Sequence, residues 1–316
     1  MELLPIPSGE SLAVLLLCST LAADAMEHSP LSPREWFQLR EKLGRAGRTD
    51  PAALLNTDLD ALGKELKYPA AFAGRLKNLL GRRAEALNEM AELQALGIWA
   101  LTSVDPGYPA AAMRRLGDRM PQVLFGCGDS SRLQSEGAGI VGSRDVDAAG
   151  AAYAERLGHL CAGAGLTVIS GGARGVDLQA MNGALQAGGG VLGVLADRLV
   201  TAVARRDPEH TEQLTLLACV HPRLGFSRGV AMQRNRVIHA LGRCALVVAS
   251  AEYGGTWNGT LENLSHGWSP VFVRAGSGVP AGNRKLLRRG ARPLPEVLPD
   301  SPAVLTQFLE EASQPR

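Results

Sequence analysis

Several features are scarce in this 316-residue chain, and each scarcity removes a class of protein. Cysteine numbers only five (Cys18, Cys127, Cys161, Cys219, Cys244), an odd count with no C-x-x-C pair and set mostly inside apolar runs. That pattern points to buried free thiols in a reducing cytoplasm, against a disulfide framework or a zinc site. No apolar run approaches the ~20 residues that span a bilayer, so no membrane partner is expected. Leu12–Cys18 followed by small residues at 22–25 has the outline of a signal peptide. The basic segment that should precede it is missing, since Glu2 and Glu10 stand there and the first basic residue is Arg34. The expectation is instead the first helix of a small helical domain. Charge of either sign is nearly balanced, with a net of +2, so any polyanion site must be a local patch. The six histidines are scattered and form neither a catalytic triad nor a metal cluster, and no metal or cofactor is expected.

What is present is concentrated in residues 139–177. Gly139–Arg144 is a short apolar strand ending in a small-residue turn. Leu166–Ser170 is another, followed at once by Gly171-Gly-Ala-Arg-Gly-Val-Asp177. Between them 148–164 carries Ala151, Ala154, Leu157, Leu160 and Cys161 at helical spacing. Strand, crossover helix and strand make a right-handed βαβ unit whose ligand crevice lies at the carboxyl ends of its strands. Both glycine loops fall there. Gly142, Gly171, Gly172 and Gly175 allow backbone N–H groups to approach an anion closely. Ser143 adds a hydroxyl, and Arg144 and Arg174 add forked cations. The first loop is not a G-x-G-x-x-G turn and nothing matches G-x-x-x-x-G-K-[ST], which weakens any ordinary dinucleotide or P-loop reading.

The flanking sequence fits one architecture. Short helices are expected at 33–43, 50–55, 59–66, 72–80 and 84–96, with Ser32 capping a helix that starts at Pro33 and Thr57 or Asp58 capping another. Strands are expected at 97–103, 121–126, 191–195, 214–220, 245–249 and 271–273, with helices at 178–187, 230–241 and 304–312. The alternation predicts an α/β fold, Rossmann-like and doubly wound, with a mainly parallel sheet and an N-terminal small α-helical domain. The expected boundaries are 1–100 for the helical leader, 101–293 for the Rossmann-like domain and 294–316 for a tail. Between Glu212 and Glu252 there is no acidic residue, while Arg223, Arg228, Arg234, Arg236 and Arg243 fall inside, and this stretch reads as a polyanion-facing surface. The cluster Arg284, Lys285, Arg288 and Arg289 reads as a solvated helix face. Aromatic residues are 4% of the chain, and those nearest the basic and glycine segments are Phe226, Tyr253 and Trp257. Core packing is expected for the first two. Trp257, amid Gly, Thr and Asn, is the candidate for stacking on a base.

The order Ile140-Val-Gly-Ser-Arg144, Ser170-Gly-Gly-Ala-Arg-Gly-Val-Asp177, Gly188-Gly, and Gln233-Arg-Asn-Arg-Val-Ile238 resembles the DNA-processing protein A (DprA/Smf) family. Leu96-Gly-Ile and Tyr108-Pro109 are similar to that family's front half, so the likeness covers roughly residues 30 to 292. The resemblance implies an extended Rossmann-like fold that binds single-stranded DNA and helps load the RecA recombinase in recombination or DNA uptake by transformation. It implies that Ser143, Arg144, Gly172, Arg174, Arg234, Asn235 and Arg236 carry the DNA site. Folds of this kind commonly pair, and a homodimer is the expected assembly. Departures at Leu195–Leu199, at Cys219–Pro222 and at Gly254–Asn263 mark a divergent member. The segment after residue 293 is too short for the winged helix of many members.

The last of these departures suggests a different chemistry. Gly254-Gly-Thr-Trp-Asn-Gly-Thr-Leu-Glu-Asn263 is similar to the Pro-Gly-Gly-x-Gly-Thr-x-x-Glu motif of the Lonely Guy nucleotide phosphoribohydrolases, without the proline and with altered spacing. That likeness adds Gly255 and Thr256 to the phosphate-binding set. It implies an alternative function, a nucleotide sensor or an enzyme cleaving the N-glycosidic bond of a nucleoside monophosphate. Glu262 would then stabilise the positive charge that develops on the sugar, with Arg234 or Arg236 orienting the phosphate. The competing reading puts Glu262 in the first turn of a helix, where a negative charge is favoured anyway. Binding without catalysis is the leading expectation.

Overall fold

The computed structural model describes residues 7–22 and 29–313. Glu2 and the small residues at 23–25 lie outside them, as do the last three residues of the tail. Nine strands form one sheet: β1 (Trp99–Thr102), β2 (Val123–Cys127), β3 (Gly137–Val141), β4 (Thr167–Ser170), β5 (Val191–Leu195), β6 (Leu214–Ala218), β7 (Cys244–Val247), β8 (Val271–Arg274) and β9 (Arg292–Leu294). The leader supplies α1 (Gly9–Cys18), α2 (Pro33–Arg45), α3 (Leu59–Glu65), α4 (Ala70–Gly81) and α5 (Arg83–Ala95). The crossovers and tail supply α6 (Ala110–Leu116), α7 (Ala148–Gly163), α8 (Val176–Gln186), α9 (Leu199–Ala204), α10 (Arg228–Leu241), α11 (Gly254–His266), α12 (Ala281–Arg288) and α13 (Pro302–Ser313).

The strand order is β1-β2-β6-β5-β4-β3-β7-β8-β9. From β3 the chain winds through β4 and β5 to β6 on one side, then returns to lay β7, β8 and β9 on the other. All pairings are parallel except β1 with β2 and β2 with β6. This is the doubly wound, mainly parallel sheet expected from the alternation. Its central strands are apolar without a polar alternate because helices cover both faces. Residues of α6, α10, α11 and α12 cover one face, among them Ala112, Val237, Ile238, Trp257 and Leu286. Residues of α7, α8 and α13 cover the other, among them Leu157, Leu160, Ala180, Leu305 and Leu309. The leader's own core, built on Leu12, Leu15, Trp36, Leu39, Leu79 and Leu93, runs continuously into Val123 and Phe125 of β2 and Ala218 of β6.

Local signals explain the leader's helices. Ser32 accepts from the Glu35 N–H at 3.2 Å while the Glu35 carboxylate accepts from the Ser32 N–H at 2.8 Å, a reciprocal cap with Pro33 at the first helical position. Of the two caps proposed for the next helix, Asp58 serves, accepting from Asp60 and Ala61. The helix expected at 50–55 is a 3-10 turn, Pro51–Asn56, and its Asp50 cap bonds the Ala52 N–H. Three elements escaped the sequence reading, α6, α9 and β9, and the reading that put Glu262 in a first helical turn missed the first two turns of α11. Helices α6 and α9 are six or seven residues long, α11 opens on two glycines, and Pro293 sits inside β9 where strands seldom tolerate it.

The βαβ crossover depends on how closely α7 and α8 approach. A Cβ added at Gly183 would lie 1.9 Å from the Glu155 carbonyl oxygen, and one at Gly158 2.0 Å from that of Ala180. The two helices therefore meet backbone to backbone, which places the start of α8 beneath the β3 loop. Gly183→Val should destabilise the protein by about 1–3 kcal/mol or more through overpacking. Chemical denaturation would show this as a lower midpoint, and an unchanged midpoint would mean that the helices can part without cost.

Candidate functional site

The crevice between β3 and β7 is the point where the winding direction reverses, the position at which open α/β sheets hold ligands. A cleft of about 940 Å³ opens there, within the range of small-ligand sites. Four segments build it: the β3 loop with Gly142, Ser143, Arg144 and Asp145; Ala173 and Asp177 after β4; Phe226 to His239 along α10; and Ala251 to Asn258 at the start of α11.

One buried carboxylate joins these segments. Asp177, in the first turn of α8, accepts backbone N–H bonds from Gly142, Gly171 and Ala173, and its Oδ2 lies 3.5 Å from Nη1 of Arg234 on α10. Burial raises the Asp177 carboxyl above its ordinary value against the pull of Arg234 and the three N–H donors. Burial lowers Arg234 in turn, with Asp177 opposing. The Arg234 Nε has no hydrogen-bond partner among the described residues. The two glycine loops also touch directly. Gly175 adopts φ +87°, and a Cβ there would lie 2.4 Å from the Ser143 carbonyl oxygen, so no larger side chain fits this turn. The Val176 N–H donates to the same oxygen at 3.2 Å.

The start of α11 is pinned to both neighbours. The Thr256 hydroxyl donates to the Gly142 carbonyl at 2.9 Å, and the Asn235 amide donates to the Gly255 carbonyl at 3.1 Å. No side chain caps the first turn of α11, so its N–H groups face the cleft where Gly254, Gly255 and Thr256 line it. His239 lies behind this turn, its Nδ1 3.2 Å from the Asn263 amide, and burial pushes its pKa down to about 4. It is a neutral structural ring at physiological pH.

The expected site residues divide into groups. Gly142, Ser143, Arg144, Arg234, Asn235, Gly255 and Thr256 come together around the cleft. Gly171 packs against the Asp177–Arg234 pair, and Gly172, Arg174 and Gly175 form the adjoining loop without lining the cleft itself. The Ser143 hydroxyl is engaged within its own turn, donating to the Asp145 carbonyl and accepting from the Asp145 N–H. Arg174 pairs with Asp145 on the open surface. Arg236 faces away from the cleft: its Nε lies 2.9 Å from both Glu262 oxygens. Glu262 sits in the third turn of α11, not the first, and lines a separate depression with Leu261, Leu264, Ser265 and Arg289. The carboxylate proposed for glycosidic cleavage is thus remote from the phosphate-sized loops and neutralised by Arg236.

Two further expectations are corrected. The acid-free stretch does not leave its arginines free. Arg223 pairs with Glu89 and Glu92, Arg234 with Asp177, Arg236 with Glu262, and Arg243 with Glu136 and Glu310. These acids lie 26 to 134 residues away along the chain, so local sequence could not reveal them. Among the described residues, Arg228 of that stretch and Arg144 of the β3 loop form no ion pair, and both are exposed. The aromatic assignment is also reversed. Trp257 is core, 9% exposed, whereas Phe226 and Tyr253 are 52% and 79% exposed on the cleft wall. The Arg144 guanidinium lies 5.6 Å from the Phe226 ring centroid. The signal that could have separated them is position: Trp257 falls on the inner face of a helix, while Phe226 and Tyr253 occupy loops at strand ends. The four cysteines Cys127, Cys161, Cys219 and Cys244 are buried and Cys18 is half-buried, all with free thiols. Among the described residues no group of three metal-ligating side chains gathers and no helix is long and apolar enough to cross a membrane.

Comparison with known proteins agrees with this architecture. Smf of Synechocystis is 26% identical over 220 residues, which cover 61% of this chain and 54% of that protein. DNA processing protein DprA of Bacillus subtilis is 28% identical over 180 residues, 54% of this chain and 60% of that one. The chain thus spans little more than half the length of the curated relatives it matches. The structure of DprA from Streptococcus pneumoniae superposes with a TM-score of 0.61 at 21% identity, covering 90% of this chain and 99% of the other. DprA from Helicobacter pylori, described for its single-stranded DNA binding mode, gives 0.56 at 20% identity over 69% and 97%. At these identities the superpositions speak for the fold. The family model matches residues 99–299, from the first strand of the sheet to just past its last, and this chain belongs to the family of DNA recombination-mediator protein A.

Proposed function

We propose that the cleft at the β3/β7 switch point binds single-stranded DNA, and that the protein acts in recombination by presenting the strand to a RecA-type recombinase, working as a homodimer. The observation that carries the reading is that two guanidinium groups without an ion pair, Arg144 and Arg228, and two exposed aromatic rings, Phe226 and Tyr253, line the same cleft. Cations that track phosphates and flat rings that accept any base are the two requirements of sequence-tolerant single-strand binding. The uncapped start of α11, where Gly254, Gly255 and Thr256 line the cleft, adds N–H donors. Duplex DNA is a poor fit, since its bases are stacked away from such rings. The family to which the chain belongs, and the single-stranded DNA binding of the Helicobacter relative, support the same reading.

Fluorescence anisotropy with a labelled oligothymidylate, a duplex control and a salt series tests it. Binding should be selective for the single strand. Arg144→Ala and Arg228→Ala should each flatten the salt dependence by about 0.7 in log–log slope, the contribution of one single-strand phosphate. Phe226→Ala should cost about 1–3 kcal/mol with an unchanged slope. Equal binding of duplex, or none to the single strand at low salt, would overturn the proposal. Adding nucleoside monophosphates as competitors, and assaying base release, probes the nucleotide alternative in the same cleft.

Asp145 provides a test of opposite sign. It holds Arg174 in a pair whose side chains are 75% and 86% exposed, an arrangement worth little in stability. Asp145→Asn should free Arg174 at the cleft mouth and remove a repelling charge, so that affinity rises several-fold and the salt slope steepens. A loss of affinity would mean that the pair itself orders the loop.

Arg234 should behave differently from Arg144. Arg234→Ala strands the buried Asp177 carboxylate, and thermal or chemical denaturation should register about 3–5 kcal/mol of lost stability. Changing the acid as well, Arg234→Met with Asp177→Asn, removes the stranded charge and keeps an oxygen acceptor for the N–H donors of Gly142, Gly171 and Ala173, and should recover much of that loss while leaving binding impaired. Equal melting of the wild type and the single variant would show that the pair contributes nothing to the fold.

A further inference from the structure

The loop that carries Phe226 is held from outside the cleft. After β6 the chain runs through His221, Pro222 and Arg223 to Leu224, then through Gly225 and Phe226 to Ser227, whose hydroxyl caps α10 by accepting from the Val230 N–H. Both His221 and Arg223 reach across to one carboxylate of the helical leader. Glu89 Oε1, on α5, lies 3.0 Å from His221 Nε2 and 2.7 Å from Arg223 Nη1, and its Oε2 accepts the Ala22 N–H at 2.7 Å. Arg223 Nη2 adds a contact to Glu92 at 3.1 Å. The Arg223 N–H donates to His221 Nδ1 at 3.1 Å, which leaves Nε2 as the protonated nitrogen that donates to Glu89. Two backbone bonds complete the clamp, Arg198 N–H to the Leu224 carbonyl at 2.8 Å and Val200 N–H to that of Pro222 at 3.1 Å.

We propose that Glu89 is a positioning residue through which the helical leader sets the cleft wall: by clamping residues 221–224 it fixes the two-residue span Gly225-Phe226 so that the Phe226 ring meets Arg144. The inference rests on the single-strand reading given above and adds a control point to it. The distribution of contacts separates this role from simple adhesion between leader and sheet. A continuous apolar core already joins those two parts. Two of the three groups on Glu89 belong to the loop and none to a strand. The carboxylate is only 19% exposed, where a pair is better shielded from water than on the open surface. Burial would raise its pKa, but the Ala22 N–H, His221 and Arg223 together bring it below the ordinary value. With Leu224 and Ser227 held and only two residues between them, a shift of the clamp passes directly to the ring.

Two measurements on the full chain test this. Hydrogen exchange without DNA should show the amides of Arg223 and Leu224, and those of Arg198 and Val200 that bond the loop, exchanging faster in Glu89→Ala than in wild type, with the sheet and the other leader helices unchanged. Oligothymidylate binding should then weaken roughly 2- to 30-fold, the range for coupling through packed networks, with an unaltered salt slope. In a Phe226→Ala background, Glu89→Ala should cause no further loss, because the ring it positions is gone. Unchanged exchange in the loop, or losses that simply add in the double variant, would overturn the proposal. Glu89→Gln, which keeps one oxygen acceptor, gives the same readouts should Glu89→Ala fail to fold. A wild type that binds no single strand would sink the single-strand reading, and the exchange data would still decide whether Glu89 holds the loop.

Discussion

The carboxylate of Asp177 is the point on which the site hangs. A β3 loop, a β4 loop and a helix that arrives two strands later in the sequence have no reason of their own to converge. One buried acid gives them that reason, accepting N–H groups from Gly142, Gly171 and Ala173 and facing Arg234. The desolvation of both charges is unfavourable and offsets much of their mutual attraction. What it supplies is registration. Polar groups with few alternative partners tolerate few alternative arrangements, and the cleft inherits that definition. The cations available to a ligand are then the ones this core does not use.

That division explains why total charge and local charge runs mislead here. The helix α10 carries Arg228, Arg234 and Arg236 within nine residues, and they have three different fates: the cleft mouth, a buried tie and the far side of the helix against Glu262. Helical periodicity alone turns Arg234 and Arg236 about 200° apart, two steps of the 3.6-residue turn. An arginine directly after the Ser227 cap and arginines two turns further into the helix meet different surroundings, even when the sequence contains no acid nearby.

Much of the fold was legible before the structure. Strands buried on both faces read as unbroken apolar runs, so β3, β4, β5 and β7 and the crossover α7 stood out, and glycine at their carboxyl ends marked the crevice. The positions of Gly142, Ser143, Arg144, Asn235, Gly255 and Thr256 around one cleft follow from that topology. What stayed hidden is what depends on distance in space. The partners of Arg223 come from the leader, and those of Arg243 from the turn before β3 and from α13. The exposures of Phe226 and Trp257 depend on which side of a loop or helix faces the sheet. A glycine pair opening α11 hid the first two turns of that helix, and this displaced Glu262 from the first turn to the third.

The front of the leader is tied into the molecule by a group far along the chain. The buried guanidinium of Arg82 donates to the carbonyl oxygens of Leu16, Ser19 and Leu21, which are the otherwise unsatisfied acceptors where α1 ends. Residues 8–21 therefore cannot be treated as a removable preface. A shortened protein beginning after that stretch would leave this cation only the Leu79 carbonyl, which its Nε meets at 3.1 Å, and the same helices that lodge Glu89 beside the cleft loop would lose their footing. Trimming designed to isolate the sheet would have to take the whole leader away or none of it.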